Sequence, residues 1–256
     1  MANQKILYVT TELYPYQEDS NMATMVNKMA LKMHQGGNDV RVFMPKFGQI
    51  SERKFQLHEV IRLSGMNIII NDLDQPLIIK VASLPGERLQ VYFIDNEEYF
   101  KRKQFYKHDD GKIFEDNDER AIFFARGVIE TIKKLNWVPD VIHLNGWMAS
   151  FIPVYLKNYY KNDSYFHDSK LVLSVYNEED AKFSDSLEEK LKFDNITELN
   201  AFKNPTFKQF VIESMDMVDV VVKGDEFLED DLDVAFNQTK TAKSEYLDAE
   251  SINTLY

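Results

Sequence analysis

The order of hydrophobic periods at the start of the chain limits its fold more than any other feature. Lys5 to Thr11 is a short strand-type run that includes Ile6, Val9 and two threonines. Apolar residues then recur at Met22, Met25, Val26, Met29 and Met33, the three-and-four spacing of a single helix face. Gly36 and Gly37 follow where a helix needs C-terminal glycine, and Asp39 to Met44 is a second strand-type run. A strand, a helix and a strand in such close succession form a right-handed β-α-β crossover with parallel strands, so the class is α/β.

The rest of the sequence extends this unit. Between Phe55 and Ile94 the helical period is lost. Short apolar runs at Glu59–Leu63, Asn67–Ile70, Leu77–Ala82 and Leu89–Ile94 alternate with turn residues such as Pro76 and Pro85-Gly86, predicting a partly antiparallel strand insertion. Asp116–Leu135 carries one apolar face from Ala121 to Leu135 and predicts a long helix. Strands are expected at Asp140–Leu144, Leu171–Val175 and Val218–Val222, with helices near Met148–Tyr160 and Pro205–Met217 between them. The expected organisation is one Rossmann-like domain over residues 1–224 and an acidic, polar tail over 225–256, partly helical or loose because its charges repel.

Composition narrows the partners. Thirty Lys and Arg against 42 Asp and Glu leave a formal charge of −12, a field that repels phosphate backbones and anionic lipid. Nucleic acid and membrane are therefore not expected partners. No apolar run approaches the about 18 residues of a membrane span, and Ile6–Val9 is far shorter than a signal-peptide core. The absence of cysteine removes disulfides, thiolate metal sites and cysteine nucleophiles and fits a reducing compartment, so cytoplasm is the expected location. There is no phosphate-binding glycine loop and no serine-hydrolase elbow. The five histidines (His34, His58, His108, His143, His167) are scattered, so neither a metal nor a cofactor is expected.

Four segments share a common resemblance. Thr11-Glu12-Leu13-Tyr14-Pro15 leads into Glu18, Ser20 and Asn21; Tyr92–Tyr99 is followed by Phe105-Tyr106, Asp109-Asp110-Gly111 and Asp116-Asn117-Asp118-Glu119-Arg120. Pro139–Met148 contains His143 and Trp147, and Tyr176-Asn177 follows the next strand. In order and spacing these resemble the N-terminal half of glycogen and starch synthases, which transfer glucose from a nucleotide sugar to a glucan. The resemblance implies the N-terminal lobe of a GT-B glycosyltransferase. It also implies a sugar cleft lined by Glu12, Tyr106, Asn117 and Asn177.

The chain departs from the family pattern at chemically telling positions. The family's Lys-x-Gly-Gly is here Glu18-Asp19-Ser20-Asn21, which reverses a charge and adds side chains where a diphosphate approaches backbone. Asn145, Gly146, Met148 and Tyr176 stand at family positions for histidine and other sugar-facing polar groups, and the residues after Gly224 leave no room for a second lobe. No catalytic residue is assigned. The expected function is a catalytically silent glycogen/starch synthase-like domain that binds an α-glucan or a protein partner. Two alternatives stand beside it: a glucosyltransferase half completed by a separate C-terminal lobe, and a purely structural interaction module. His143 and Trp147 are expected to be structural, Asp116 to cap its helix, and Arg120 to form an ion pair on the first turn.

Overall fold

The computed structural model describes residues 3–246, 251, 252, 255 and 256. The first strand, β1 (Lys5–Thr10), leads through a loop to α1 (Asn21–Gln35) and back to β2 (Asp39–Pro45), parallel to β1, as the periodicity predicts. Ser20 caps α1 by accepting a hydrogen bond from the Ala23 backbone N–H at 3.1 Å, and all five residues of the expected stripe are buried.

The insertion is antiparallel. It comprises β3 (His58–Glu59), β4 (Met66–Ile70) and the long β5 (Leu73–Ser83), which pairs with β3, β4 and β6 (Gln90–Asp95). The strand expected at Glu59–Leu63 is mostly absent. β3 stops at Glu59, and Leu63 is a buried turn residue whose N–H bonds the Val60 carbonyl. Its apolar side chain anchors a turn, which a short apolar run does not distinguish from a strand.

A short helix α2 (Glu97–Phe100) precedes the long α3 (Asn117–Leu135). Helix α3 buries far more than one face: Asn117, Asp118, Arg120 and Arg126 are enclosed along with its apolar residues. The chain continues through β7 (Val141–Asn145), a 3-10 turn at Trp147–Ser150, α4 (Phe151–Lys157), β8 (Lys170–Val175), α5 (Leu187–Phe193), α6 (Phe207–Met215) and β9 (Val220–Lys223). Two buried ion pairs tie α3 to α5 and its C-terminal end: Lys190 with Asp118 at 2.8 Å, and Arg126 with Asp194 at 3.1 Å.

Residues after Gly224 are more ordered than their charge predicts. They form α7 (Asp230–Gln238), anchored by buried Leu232 and Phe236, and β10 (Ala242–Ser244), which adds a parallel strand beside β9. Lys208 and Lys223 pair with Glu229 and Asp233 at 3.0 Å, offsetting repulsion within the acidic run. Of the polar stretch expected to follow, residues 247–250 and 253–254 lie outside the described residues, as do residues 1 and 2 at the start. Ile252 and Leu255 are buried, and the Tyr256 hydroxyl reaches His143 and Tyr8.

The sheet order is β10-β9-β8-β7-β1-β2-β6-β5-β3, with β4 on β5. Strand β1 lies between β2 and β7, so the order of parallel strands reverses at this point. Loops leaving the carboxyl ends of β1 and β7 diverge there and open a crevice, the usual ligand position in open α/β sheets. The family-like segments lead into this crevice. No helix among the described residues is long and apolar enough to cross a membrane.

Candidate functional site

At the carboxyl ends of the parallel strands lies a cavity of about 310 Å³. Glu12 enters it from the loop after β1, Trp147 from the turn after β7, Tyr176 to Glu179 from the loop after β8, and Asp225 from the loop after β9. Tyr106 closes another side from the long segment before α3. A second hollow of about 350 Å³ adjoins it, shares Glu12, Asp19 and Ser20, and adds Tyr16, Gln17, Gln49 and Phe105. The two form an elongated cleft with Glu12 between them. A larger hollow of about 510 Å³ includes Lys170 and Asp219, at the amino ends of β8 and β9, away from the switch point. It is lined by three lysines and three aspartates, and none of the family-like residues reaches it.

Local geometry explains how the walls are set. Gly146 has φ of +88°, and a Cβ there would come within 2.2 Å of Thr11 Oγ1. Only glycine lets the chain turn from β7 into the Trp147 segment so close to the loop after β1. Trp147 is 4% exposed and stacks on Phe207, with ring centroids 3.9 Å apart. It is therefore a packing residue, as expected from its place at a strand-to-helix turn, and it also forms part of the cavity wall. Tyr176 donates a hydrogen bond to Asn145 Oδ1 at 3.2 Å, and its ring covers Gly224, where a Cβ would approach within 2.5 Å.

Three of the four residues expected at the cleft line it: Glu12, Tyr106 and Asn177. Asn177 spends its side chain on the loop after β9, donating to the Phe227 carbonyl and accepting from the Glu229 N–H, each at 2.7 Å. The fourth, Asn117, is buried behind the wall. Its amide donates to the Tyr106 carbonyl at 2.7 Å, and its oxygen accepts from Arg120 Nη1 at 2.7 Å. It positions Tyr106 rather than facing the cavity, because α3 begins beneath the Tyr106 segment.

The expected roles of Asp116 and Arg120 are corrected. Asp116 makes no side-chain cap and instead holds both terminal nitrogens of Arg102. Arg120 forms no ion pair among the described residues. It donates Nε to the Tyr99 carbonyl at 2.8 Å and lies among the rings of Phe47, Phe100 and Phe114. Burial pulls its pKa down to about 9. The spacing that suits a surface ion pair is the same spacing that carries a side chain into an aromatic cage, and only packing separates the two.

The electrostatics of the cavity are acidic throughout. Glu12, Asp19, Glu178, Glu179 and Asp225 line it, and no lysine or arginine does. Glu179 is neutralised from outside: Lys107 lies 2.5 Å away and Tyr106 donates to it at 2.9 Å, and these two hold its carboxyl below the usual range. Burial raises the Glu12 carboxyl, opposed by the Ser20 hydroxyl. Glu178 is raised well above its ordinary value, first by burial of its carboxyl and then by the Glu12 charge, with the Trp147 N–H acting the other way. Asp225 is the member of this acidic lining that spacing did not disclose; it follows the buried strand β9, the one signal that places it at this rim.

His143, beneath the site in β7, has Nε2 against Ser174 Oγ at 2.7 Å and Nδ1 against the Tyr256 hydroxyl. Burial pushes its pKa down to about 3, so it stays neutral and does not exchange a proton near neutral pH.

Residues 5–223 match the starch synthase catalytic domain. The chain belongs to that family. The glycogen synthase of Chlorobium limicola is 40% identical over 177 residues, 68% of this chain, and that of Chlorobium luteolum is 39% identical over 176 residues. The match covers 36% of the length of each of these relatives. Among solved structures, the catalytic domain of Starch Synthase IV from Arabidopsis thaliana, bound to ADP and acarbose, superposes with a TM-score of 0.71. That match spans 96% of this chain and 52% of the other at 15% identity, and it shows the same fold. The starch synthase family thus accounts for the sheet order and for the crevice at the switch point.

Proposed function

We propose that this domain is a catalytically silent, cytoplasmic member of the glycogen/starch synthase family that binds an α-glucan in the cleft beside Glu12. One observation carries the reading: five carboxylates line the cavity at the carboxyl ends of the parallel strands, and among the described residues no lysine or arginine does. A diphosphate brought to Glu12, Glu178 and Asp225 meets like charge on several sides, whereas the hydroxyls of a neutral saccharide donate to the same carboxylates. Tyr106, Trp147 and Tyr176 supply the flat apolar faces that sugar rings stack upon. The adjoining hollow past Glu12 gives an oligosaccharide room to continue. His143 is neutral and buried below the cavity, which leaves no imidazole to assist a leaving group.

Calorimetric titration with maltotetraose and with ADP tests this. Saturable maltotetraose binding with weaker or no ADP binding is expected; tighter binding of ADP overturns it. A second reading follows from the coverage of the relatives, since the match extends over 36% of their length. In that reading a separate lobe completes a transferase, and glucose transfer from ADP-glucose on adding such a lobe would favour it over the silent domain.

A further inference from the structure

Strand β4 (Met66-Asn67-Ile68-Ile69-Ile70) pairs with β5 on one side only among the described residues, and it contains neither a charged residue nor a proline. Edge strands are commonly blunted by shortness, charge or proline. The other two edges follow that rule, since β3 has two residues and β10 has three with Lys243 at its centre. The β4 edge does not.

The surface beside β4 is apolar as well. Arg126 and Asp194 form a buried pair there, and Arg126 also donates to the Ile69 carbonyl at 2.7 Å and to the Tyr159 hydroxyl at 3.4 Å. Ile69, Tyr159 and Phe193, the last beside Asp194, thus gather around one ion pair from the hairpin, the turn after α4 and the end of α5. They are 45%, 43% and 52% exposed. Leu73, opposite Ile70 across the hairpin turn, is 61% exposed. Single apolar residues are ordinary on a surface, but four gathered along one edge mark a contact with another protein.

Charge identifies the partner. At one end of this strip Lys134 donates to the Ser64 carbonyl at 3.2 Å, and at the other Asp72 stands in the hairpin turn. Both are exposed, and neither forms an ion pair among the described residues. Ser64 and Asp72 each lie four residues from Ile68. A two-fold axis beside Ile68 therefore runs two copies of the strip antiparallel, so that Asp72 of each copy meets the partner's Lys134 and the apolar middles meet each other. The net charge of −12 on each copy opposes general self-association and confines attraction to such a local match.

We propose that the β4 edge is the interface of a symmetric dimer of this chain, in which Ile69, Leu73, Tyr159 and Phe193 pack across the two-fold axis and Asp72 pairs with the partner's Lys134. Arg126 and Lys134 already bond the Ile69 and Ser64 carbonyls, so side chains make this contact and no continuous strand ladder crosses it. None of these residues lines the cleft, and the dimer is independent of the saccharide reading.

Sedimentation of the full chain at physiological salt, over concentrations reaching about 100 μM, should show a reversible shift from monomer to dimer. A monomer throughout overturns the proposal. Ile69→Asp should weaken association about tenfold or more with an unchanged circular dichroism spectrum, and a dimer of parental strength in this variant places the interface elsewhere and overturns it too. Asp72→Lys and Lys134→Asp should each weaken the dimer, because each sets like charges against one another at both ends of the interface. Mixing these two variants in equal amounts should restore dimerisation, because opposite charges then meet at both ends. No recovery on mixing shows that Asp72 does not meet the partner's Lys134 and overturns the two-fold arrangement.

Discussion

The indole of Trp147 lies flat on the ring of Phe207, with the planes 7° apart and the centroids at 3.9 Å. The contact joins the turn after β7 to helix α6 and forms the floor behind the acidic cavity. Trp147→Ala removes a large buried ring and leaves Phe207 without its stacking partner, so unfolding in denaturant should show a loss of about 3–5 kcal/mol. A variant that unfolds like the parent but no longer binds saccharide would assign Trp147 to the ligand alone.

His143 gives stability a pH dependence of known sign. Its folded pKa lies near 3, below the unfolded value of about 6.5. Between these values the unfolded chain binds more protons, so stability is present above the unfolded pKa and falls as the pH drops. The slope attributable to this residue approaches about 1.4 kcal/mol per pH unit. His143→Gln should reduce that acid sensitivity in denaturant titrations, and the His143 ring resonances should not titrate between pH 5 and 8. A ring that titrates in that range would show that it is not closed off.

Glu178 acts in the opposite direction. Burial and the Glu12 charge raise its folded pKa above the unfolded value, so the folded state binds more protons in that window. Stability is then greatest below the unfolded pKa and falls as the pH rises toward the folded one. Glu12 shifts the same way, while Lys107 makes Glu179 an exception. Glu178→Gln should therefore raise the melting temperature at neutral pH and leave it nearly unchanged in acid. A uniform loss of stability at both would show that the carboxylate is needed as an acceptor.

Asn117 links Arg120 to the Tyr106 carbonyl through two hydrogen bonds of 2.7 Å. Asn117→Ala removes one hydrogen bond each from a buried guanidinium and from a carbonyl, which keep the Tyr99 carbonyl and the Phe114 N–H respectively, at a cost of about 1–3 kcal/mol. Saccharide affinity should fall as well, because Tyr106 loses its support. Unchanged affinity in a folded Asn117→Ala variant would separate the helix start from the cleft.

Glu18 lies near the mouth of the cleft and contacts Lys54 at 3.7 Å, where both side chains are exposed. Such a surface pair contributes little to stability. Glu18→Lys should therefore fold normally and bind ADP several-fold more tightly at low salt, with the gain lost at high salt. No change in ADP affinity would place the electrostatic barrier deeper, at Glu12 and Glu178.

The sequence by itself determined the class of the fold, the parallel strands, the antiparallel insertion and the rim on which Glu12, Tyr106 and Asn177 stand. The first three depend on hydrophobic period and on turn residues, which act over a few positions; the rim was implied by the resemblance to glycogen and starch synthases. Tertiary structure alone decided that Asn117 supports the wall instead of lining it, and that Arg120 lies among Phe47, Phe100 and Phe114 with no ion-pair partner among the described residues. It also decided that β10 extends the sheet and that Asp225 joins Glu12 and Glu178 in one cavity. These three carboxylates are far apart along the chain and meet because β1, β8 and β9 end at the same edge of the sheet. The charge of the site is thus a product of strand order, which follows from burying all the strands together and is not encoded in the spacing of any one segment.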